Sequence, residues 1–428
     1  MTVPEFTSEE AYLRFLKTEA VLPAGFQVAA TRIAFTPAER PTLEPYRMDL
    51  SLIHADEPTA AFAGVFTKNA FPGAPVLLGR ERLASGQVQS ILINNKISNV
   101  RSATGLADAR RLTDTLGSEL GVPAERLFSV STGIIGWALP VPEMEAALPE
   151  LVAGLHGGDA VDLAQAIMTT DSFPKARRVR VGDGSILGIA KGAGMIEPDM
   201  ATMLVFLLTD VEVSREVCRR ALPEAVADSF NAITVDGDMS TSDMALLLAS
   251  GRAGAVSESA FTHALSSLCG LLAQDVVRNG EGTGHVLELT VGGLESNELA
   301  RRVAKAVANS PLVKTALWGN DPNVGRLLSA AGDYLGRHGH PVRPEQVRIR
   351  VGDETVFENG VFRIDREKEV RLSGYLQSTA LNPRLTGYPQ HQRTVRVRME
   401  LGDGSGSATV WGSDLSDQYV HENADYRT

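Results

Sequence analysis

The apolar residues of this chain occur in short runs, and this limits what the chain can fold into. The longest run, residues 200–208, is far shorter than the roughly 20 residues that a membrane-spanning helix needs. Runs of strand length alternate instead with turns and with helix-like segments. Strands and helices that follow each other in runs are typical of layered α+β proteins rather than of doubly wound parallel sheets. The pattern therefore predicts an α+β fold.

Individual elements follow from the same pattern. A capping box at residues 7–10 predicts a helix through Leu16. From Val347 onward apolar and polar residues alternate, which predicts a mostly antiparallel, β-rich C-terminal portion of about residues 345–428. The other predicted helices are 107–120, 142–155, 214–228, 259–277 and 296–308, and the predicted strands are 61–68, 88–95, 127–131, 186–190, 203–209, 347–351, 361–364, 370–372, 395–401 and 408–411.

Charge and composition exclude several classes of partner. The 428 residues include 52 acidic and 41 basic side chains, which argues against binding to nucleic acid or to an anionic membrane surface. The two cysteines, Cys218 and Cys269, are too few for a disulfide framework and are predicted to be small buried hydrophobic residues. The N-terminal residues lack the basic and apolar regions of a signal peptide, so we expect a soluble cytoplasmic protein.

The usual metal and cofactor motifs are missing from the sequence. The eight histidines are scattered, and the pair His338 and His340 has no cysteine or carboxylate cluster at ligand spacing. The sequence contains no H-E-x-x-H, C-x-x-C or G-x-S-x-G motif, no Walker A motif, and no G-x-G-x-x-G between a strand and a helix. We therefore expect neither a bound metal nor an organic cofactor.

The most informative segment is residues 191–204, KGAGMIEPDMATML. Its glycines allow close backbone approach, Pro198 and Asp199 form a turn, and Thr202 begins an apolar strand. A threonine in this position can act as a nucleophile if a base is at hand. Cleavage of the Ala201–Thr202 bond would supply one, because the freed α-amino group has an unperturbed pKa of about 7.7–8.0. The spacing alone favours an ordinary threonine at a strand edge.

Two further segments contain candidate site residues. In the first, Thr132 and Gly133 follow a predicted strand, and a small polar residue with a glycine there can form an oxyanion hole or simply end the strand. In the second, the sequence NGEG closes a long predicted helix and places glycines on both sides of Glu281. This would expose the Glu281 carboxylate, although a helix C-cap explains Gly280 as well.

Taken together, these segments resemble the ornithine acetyltransferase family of arginine biosynthesis, also called the glutamate N-acetyltransferase family. The resemblance runs from about Pro23 to Thr428, nearly the whole chain. The matching segments are GVFTKNAFPGAPV, STGIIG, MTTDSFPK, KGAGMIEPDMATML, NAITVDGDMSTSD, NGEG, ANSPLVKTALWGNDPN and WGSDLSDQYVHENADYRT.

The resemblance implies a layered αββα-type N-terminal-nucleophile fold and a self-cleaving enzyme. Thr202 attacks the carbonyl group of Ala201, and an N→O acyl shift followed by hydrolysis leaves an α chain, 1–201, and a β chain, 202–428. Thr202 then accepts acetyl from N2-acetylornithine and passes it to glutamate in a ping-pong reaction without metal or cofactor. The family also implies a heterotetramer of two α and two β chains.

The same resemblance assigns the site residues. Thr132 and Gly133 match the oxyanion-hole positions, and Glu281 pairs with a substrate ammonium or orients the Thr202 amine. The substrate-binding residues that the family implies are Thr169, Lys191, Thr202, Glu281, Asn423 and Thr428.

The sequence also departs from the family. The stretch 94–105 is about two residues longer than usual and gains Lys96 and Arg101, which either tune carboxylate recognition or lie in a solvated loop. Val324 stands where the family usually has tryptophan. The residues 197–199 resemble the branch of the family found beside clavam antibiotic clusters, so a specialised acetyltransferase of secondary metabolism is one alternative.

Other activities stay open at this point. One is a related N-terminal-nucleophile amidohydrolase or aminopeptidase, in which water resolves the acyl-enzyme. Another is an uncleaved binding protein. Whether acetyl-CoA also donates acetyl is not decided by the sequence.

Overall fold

Residues 4–41, 44–197 and 203–425 are described by the computed structural model, and they form layers of sheets and helices. The strands are β1 (Phe26–Phe35), β2 (Tyr46–Thr59), β3 (Phe62–Phe66), β4 (Val88–Asn94), β5 (Leu127–Ser131), β6 (Lys175–Val181), β7 (Gly184–Lys191), β8 (Leu204–Glu212), β9 (Ile233–Thr234), β10 (Met244–Ala255), β11 (Val286–Gly293), β12 (Arg348–Val351), β13 (Glu354–Glu358), β14 (Val361–Phe362), β15 (Val395–Glu400) and β16 (Gly404–Ser413). The helices are α1 (Glu9–Glu19), α2 (Ala74–Arg82), α3 (Gly105–Leu120), α4 (Val141–Ala153), α5 (Val161–Ala166), α6 (Arg215–Ala227), α7 (Glu258–Arg278), α8 (Asn297–Ala308), α9 (Pro311–Trp318), α10 (Gly325–Arg337), α11 (Arg366–Thr379) and α12 (Asp417–Ala424).

Serine side chains begin several of these helices. The Ser8 hydroxyl accepts a hydrogen bond from the main-chain N–H of Ala11, so α1 starts where the capping box predicts and runs on to Glu19. Ser296 caps α8 in the same way, through the N–H of Leu299. Within the described ranges, every helix is too short or too polar to cross a lipid bilayer.

A first sheet and a second sheet pack face to face at the centre of the fold. Strand order is β1-β2-β4-β5 in the first sheet and β3-β10-β8-β7-β6 in the second. Side chains alternate along β8: Phe206 points into the cluster between the sheets, whereas Val205 and Leu207 point toward α6 and α7. A further cluster packs the first sheet against α3 and α4. The resulting order is helix, sheet, sheet, helix, which confirms the predicted layered α+β fold.

A third sheet contains the C-terminal strands. Its order is β14-β13-β12-β15-β11-β16-β9, with parallel pairs at β11–β15 and β16–β9 and antiparallel pairing elsewhere. Helices α8, α10 and α11 cover one face of it with apolar side chains. The mostly antiparallel character agrees with the prediction, and the sheet also recruits β9 and β11 from earlier in the chain.

One predicted strand of this region, residues 370–372, is wrong. It lies inside α11, where the Asp365 side chain caps the helix by accepting from the N–H of Lys368 at 2.8 Å. Leu372 and Leu376, one turn apart, reach the core, whereas Val370 is 67% exposed. The alternating pattern of valine and leucine therefore reflects a helix with one buried stripe.

Candidate active site

A cavity of about 140 Å³ opens at the edge of the second sheet where β7 ends and β8 and β10 begin. Predicted site residues from five separate segments of the chain meet in it: Thr132, Gly133, Thr169, Lys191, Glu281 and Asn423. Ala201, Thr202 and Thr428 lie outside the described residues. Met203, the neighbour of Thr202, lines the cavity and is fixed by a 3.0 Å hydrogen bond from the N–H of Met244 to its carbonyl oxygen.

The loop after β5 presents Thr132 and Gly133 to the cavity. The Thr132 N–H donates to the Asn94 carbonyl oxygen at 3.1 Å, so an oxyanion role for Thr132 would fall to its hydroxyl group. Gly133 has a φ of 120°, and a Cβ atom there would overlap the Lys96 carbonyl group. Only glycine fits this position. The Gly133 N–H is the second candidate donor to an oxyanion.

A buried carboxylate, that of Asp171, supports Thr169 and Lys191, two of the predicted substrate-binding residues. It accepts from the N–H of Thr169 at 3.0 Å and from the N–H of Gly192 at 2.8 Å, and it pairs with the Lys175 ammonium. Burial alone would raise the pKa of Asp171, but the charges of Lys175 and Lys191 more than offset this and lower it to about 2. A charged group therefore fixes the backbone at Thr169 and next to Lys191, the two predicted substrate-binding residues.

Glu281 belongs to the loop after α7, and its side chain contacts the C-terminal helix α12. Its carboxylate accepts a 2.7 Å hydrogen bond from the Asn423 side chain, and its N–H donates to the Ala193 carbonyl oxygen. A Cβ atom on Gly194 would overlap the Glu281 carboxylate, so this glycine permits a close approach. The Ser416 side chain holds α12 to the same loop by donating to the Gly282 carbonyl oxygen at 2.6 Å. The NGEG sequence thus both ends α7 and delivers Glu281 to the cavity.

The two added cations of stretch 94–105 contact aromatic rings. The Lys96 ammonium lies 5.5 Å from the centre of the Tyr46 ring, and the Arg101 guanidinium lies 5.0 Å from that of Phe71. Among the described residues around the cavity, this stretch contributes Ser98. Val324 is buried in the apolar core of the third sheet.

A run of small polar residues before β10 also lines the cavity, although none of the sequence motifs predicts a role for it. It comprises residues 240–243, of which Asp243 is 2% exposed. β10 lies parallel to β8 with Met244 opposite Leu204, so this run stands beside the start of β8. The signal that could have found it is a cluster of hydroxyl and carboxylate residues directly before an apolar strand.

A larger cavity of about 430 Å³ shares Thr170 and Glu281 with the first. Asp171 and Asn279 stand on its wall, and the Asn279 side chain accepts from the N–H of Ser172 at 2.7 Å. The candidate site and this larger cavity are therefore neighbours.

Neither cysteine is placed to react. Cys218 in α6 and Cys269 in α7 are fully buried, as predicted, and burial raises the pKa of each thiol to about 12. Across the ranges that the structure describes, His, Cys, Asp and Glu side chains form no group of three or more that could hold a metal ion.

The layered α+β fold and this polar cavity, with its hydroxyl groups, lysine and glutamate, suit an acyltransferase. The family model of ArgJ matches residues 39–428. The chain is 41% identical over 406 residues to the arginine biosynthesis bifunctional protein ArgJ of Geobacter sulfurreducens, covering 92% of this chain and 98% of that protein. It is 39% identical over 421 residues to the protein of the same name from Parasynechococcus marenigrum, covering 95% and 94%. Among solved structures, an ArgJ protein from Bacillus halodurans is 32% identical, with a TM-score of 0.45 over 52% of this chain and 99% of that chain. The chain therefore belongs to the ArgJ family of arginine biosynthesis, and the prediction that it is an N-acyltransferase is confirmed.

Proposed function

We propose that this protein is a glutamate N-acetyltransferase that takes acetyl from N2-acetylornithine. The observation that carries the proposal is the meeting of the predicted residues Thr132, Gly133, Thr169, Lys191, Glu281 and Asn423 in one cavity beside Met203. Membership of the ArgJ family supports it, and the curated relatives are called bifunctional proteins of arginine biosynthesis.

The proposed first event is self-cleavage. The Thr202 hydroxyl oxygen attacks the carbonyl carbon of Ala201, the peptide C–N bond breaks, and the departing nitrogen takes the hydroxyl proton. Water then hydrolyses the resulting ester and leaves chains 1–201 and 202–428. Lys191 and Met203, which stand before and after the segment that contains Ala201 and Thr202, both line the cavity, and this supports the proposal. By resemblance to the family, two such pairs form a heterotetramer.

The proposed transfer follows a ping-pong course. The free Thr202 amine accepts the hydroxyl proton while the oxygen attacks the acetyl carbonyl of N2-acetylornithine. The Thr132 hydroxyl and the Gly133 N–H face the oxyanion, and ornithine leaves as the C–N bond breaks and its nitrogen takes the proton. The neutral glutamate amine then attacks the acetyl-Thr202 ester, the C–O bond breaks, and a proton from the glutamate nitrogen returns to the Thr202 oxygen as N-acetylglutamate leaves. Lys191 pairs with a substrate α-carboxylate, and Glu281 pairs with an ammonium group.

The test combines a gel with an acceptor assay. The purified 45.7 kDa chain should run as two bands of similar size on a denaturing gel, and Thr202→Ala as one. Ornithine release from N2-acetylornithine should be much faster with glutamate than without it, and absent in Thr202→Ala. Equal release without glutamate would instead identify an amidohydrolase, and one band with no release would identify a binding protein. Because the relatives are called bifunctional, acetyl-CoA is included as a second donor.

A further inference from the structure

The Asp236 carboxylate lies against the chain segment that precedes the predicted cleavage point. One carboxylate oxygen accepts from the N–H of Met195 at 2.6 Å, and the other accepts from the N–H of Ile196 at 2.7 Å. Hydrogen bonds from N–H groups to a charged carboxylate are stronger than those between neutral groups. Asp236 therefore fixes two successive amides a few residues before Ala201.

Further bonds fasten the same segment to residues 234–239. The Ile196 carbonyl oxygen accepts from the N–H of Val235 at 2.7 Å, and the N–H of Glu197 donates to the Asp238 carbonyl oxygen at 2.9 Å. The Glu197 side chain accepts from the hydroxyl of Thr234 at 3.1 Å. Residues 195–197 are thus held by both main-chain and side-chain groups.

The backbone that Asp236 holds is strained. Met195 has a φ of 54°, in the left-handed region that costs free energy for a residue with a side chain. Its N–H bond to Asp236 offsets this cost and keeps the turn in place. Gly194 and Met195 are also part of the cavity wall, so the turn shapes the site as well as the approach to the cleavage point.

Two side chains from later in the chain support Val235 and Asp236. The buried Lys314 ammonium donates to the Val235 carbonyl oxygen at 2.7 Å. The Tyr419 hydroxyl donates to the Asp236 carboxylate at 3.4 Å, and Tyr419 stands on α12 one turn before Asn423. Burial, together with the Asp236 charge, raises the pKa of Tyr419 and keeps its hydroxyl a donor. Asp236 therefore links the segment before the cleavage point to the helix that carries Asn423.

We propose that Asp236 is a positioning residue for self-cleavage: it clamps residues 195–197, which closely precede the Ala201–Thr202 bond in the chain, and thereby speeds cleavage of that bond. After cleavage the same clamp joins the two chains, because residues 195–197 then belong to the α chain and Asp236 to the β chain. The inference rests on the proposed self-cleavage.

The experiment compares Asp236→Asn with Asp238→Asn, which removes the same charge from an exposed side chain two residues away. In Asp236→Asn the new side-chain amide keeps one acceptor and turns a donor toward the other N–H. Freshly purified proteins are followed by denaturing gel, and we expect Asp236→Asn to cleave at least ~10-fold more slowly than Asp238→Asn, the effect of losing one charge-assisted hydrogen bond. The wild type and Asp238→Asn should cleave at equal rates.

A second readout separates the clamp from general loss of structure. Both substitutions are placed in the uncleaved Thr202→Ala background, and hydrogen exchange is measured by mass spectrometry. The peptide that covers residues 195–197 should exchange faster in the Asp236→Asn double variant alone, with protection elsewhere unchanged. Equal cleavage rates and equal exchange in the two variants would overturn the inference. A wild-type chain that stays whole would instead overturn the proposed self-cleavage, and the exchange measurement would then decide the clamp by itself.

Discussion

Replacing Gly194 by alanine should impair the chemistry while sparing the fold. The backbone at Gly194 suits alanine, but the added Cβ would occupy the space of the Glu281 carboxylate. The carboxylate sits at the end of a flexible side chain and can swing away, whereas the main chain need not move. We therefore expect the 2.7 Å hydrogen bond from Asn423 to Glu281 to break.

The size of the effect on activity follows from the proposed pairing of Glu281 with a substrate ammonium, which the displaced carboxylate would lose. A hydrogen bond to a charged group contributes about 1.5–3 kcal/mol, and each 1.36 kcal/mol corresponds to tenfold. If Glu281 acts on the substrate as proposed, kcat/KM for acetyl transfer to glutamate should fall roughly 10- to 150-fold, while the melting temperature changes by no more than a few degrees. Steady-state kinetics and thermal unfolding measure the two quantities on the same sample.

The matched control is Gly332→Ala in α10, where a new Cβ meets nothing within 4 Å and alanine favours the helix by up to about 1 kcal/mol. It should leave kcat/KM unchanged. The double variant Gly194→Ala/Glu281→Asp should lose less than the sum of its single changes, because the shorter carboxylate relieves the overlap. Strictly additive losses, or a Gly194→Ala protein that melts early with wild-type kcat/KM, would refute the reasoning.

Other expectations concern neighbouring groups. Thr132→Ala should lower kcat by on the order of 10²–10³ and change KM less, as for the loss of an oxyanion-hole donor; a change in KM alone in steady-state kinetics would make Thr132 a binding residue. Activity should rise with pH through the pKa of the Thr202 amine, about 7.7–8.0 if unperturbed, and reach a plateau, because only the neutral amine accepts the hydroxyl proton. A pH–rate profile that falls from pH 7 to 9 with folded protein would exclude the Thr202 amine as the base. Lys191→Met should raise KM for both substrates in titrations of each, unless the carboxylates bind elsewhere. Asp171→Asn leaves Lys175 buried without its partner and should cost about 3–5 kcal/mol in denaturant unfolding, most of it recovered on adding Lys175→Met. Since the pKa of Asp171 falls from 3.8 to about 2 on folding, its contribution to stability is present above pH 4 and lost as the pH drops toward 2, a dependence that this double variant should lack.

Short-range sequence patterns predicted most of the helices and strands of the layered core. β5 begins and ends where the alternation of apolar residues and turns predicts, and α8 begins one residue after the predicted start, Ser296, which caps it. The error at residues 370–372 has a local cause: valine and leucine two apart fit a strand, while Leu372 and Leu376 four apart fit a helix. Packing of α11 against the third sheet decides between them, and a short window contains no trace of that contact.

The residues of the candidate site also fall into those whose role was predicted from the sequence and those whose role was not. Thr132, Lys191 and Glu281 stand in recognisable motifs, so the family resemblance alone could assign them to one site. Asp171 and Asp236 also stand in matching segments, MTTDSFPK and NAITVDGDMSTSD, but the motifs do not show that these carboxylates bind main-chain N–H groups two to 41 residues away along the chain. Groups that position a site through the backbone are therefore the ones that sequence reasoning overlooks.

The adjacency of β7 and β8 has a consequence for how the protein can be made. The proposed cut falls between these strands, and the second sheet interleaves strands from both products in the order β3-β10-β8-β7-β6. Before the cut, the strands find each other at the high effective concentration of a single polypeptide. Afterwards the same sheet must be assembled by collision of separate molecules, so recovery from denaturation becomes dependent on protein concentration. A matured enzyme diluted out of denaturant should therefore refold poorly under conditions where its Thr202→Ala precursor refolds well. The protein would thus assemble the second sheet once, before cleavage, while it is still one chain.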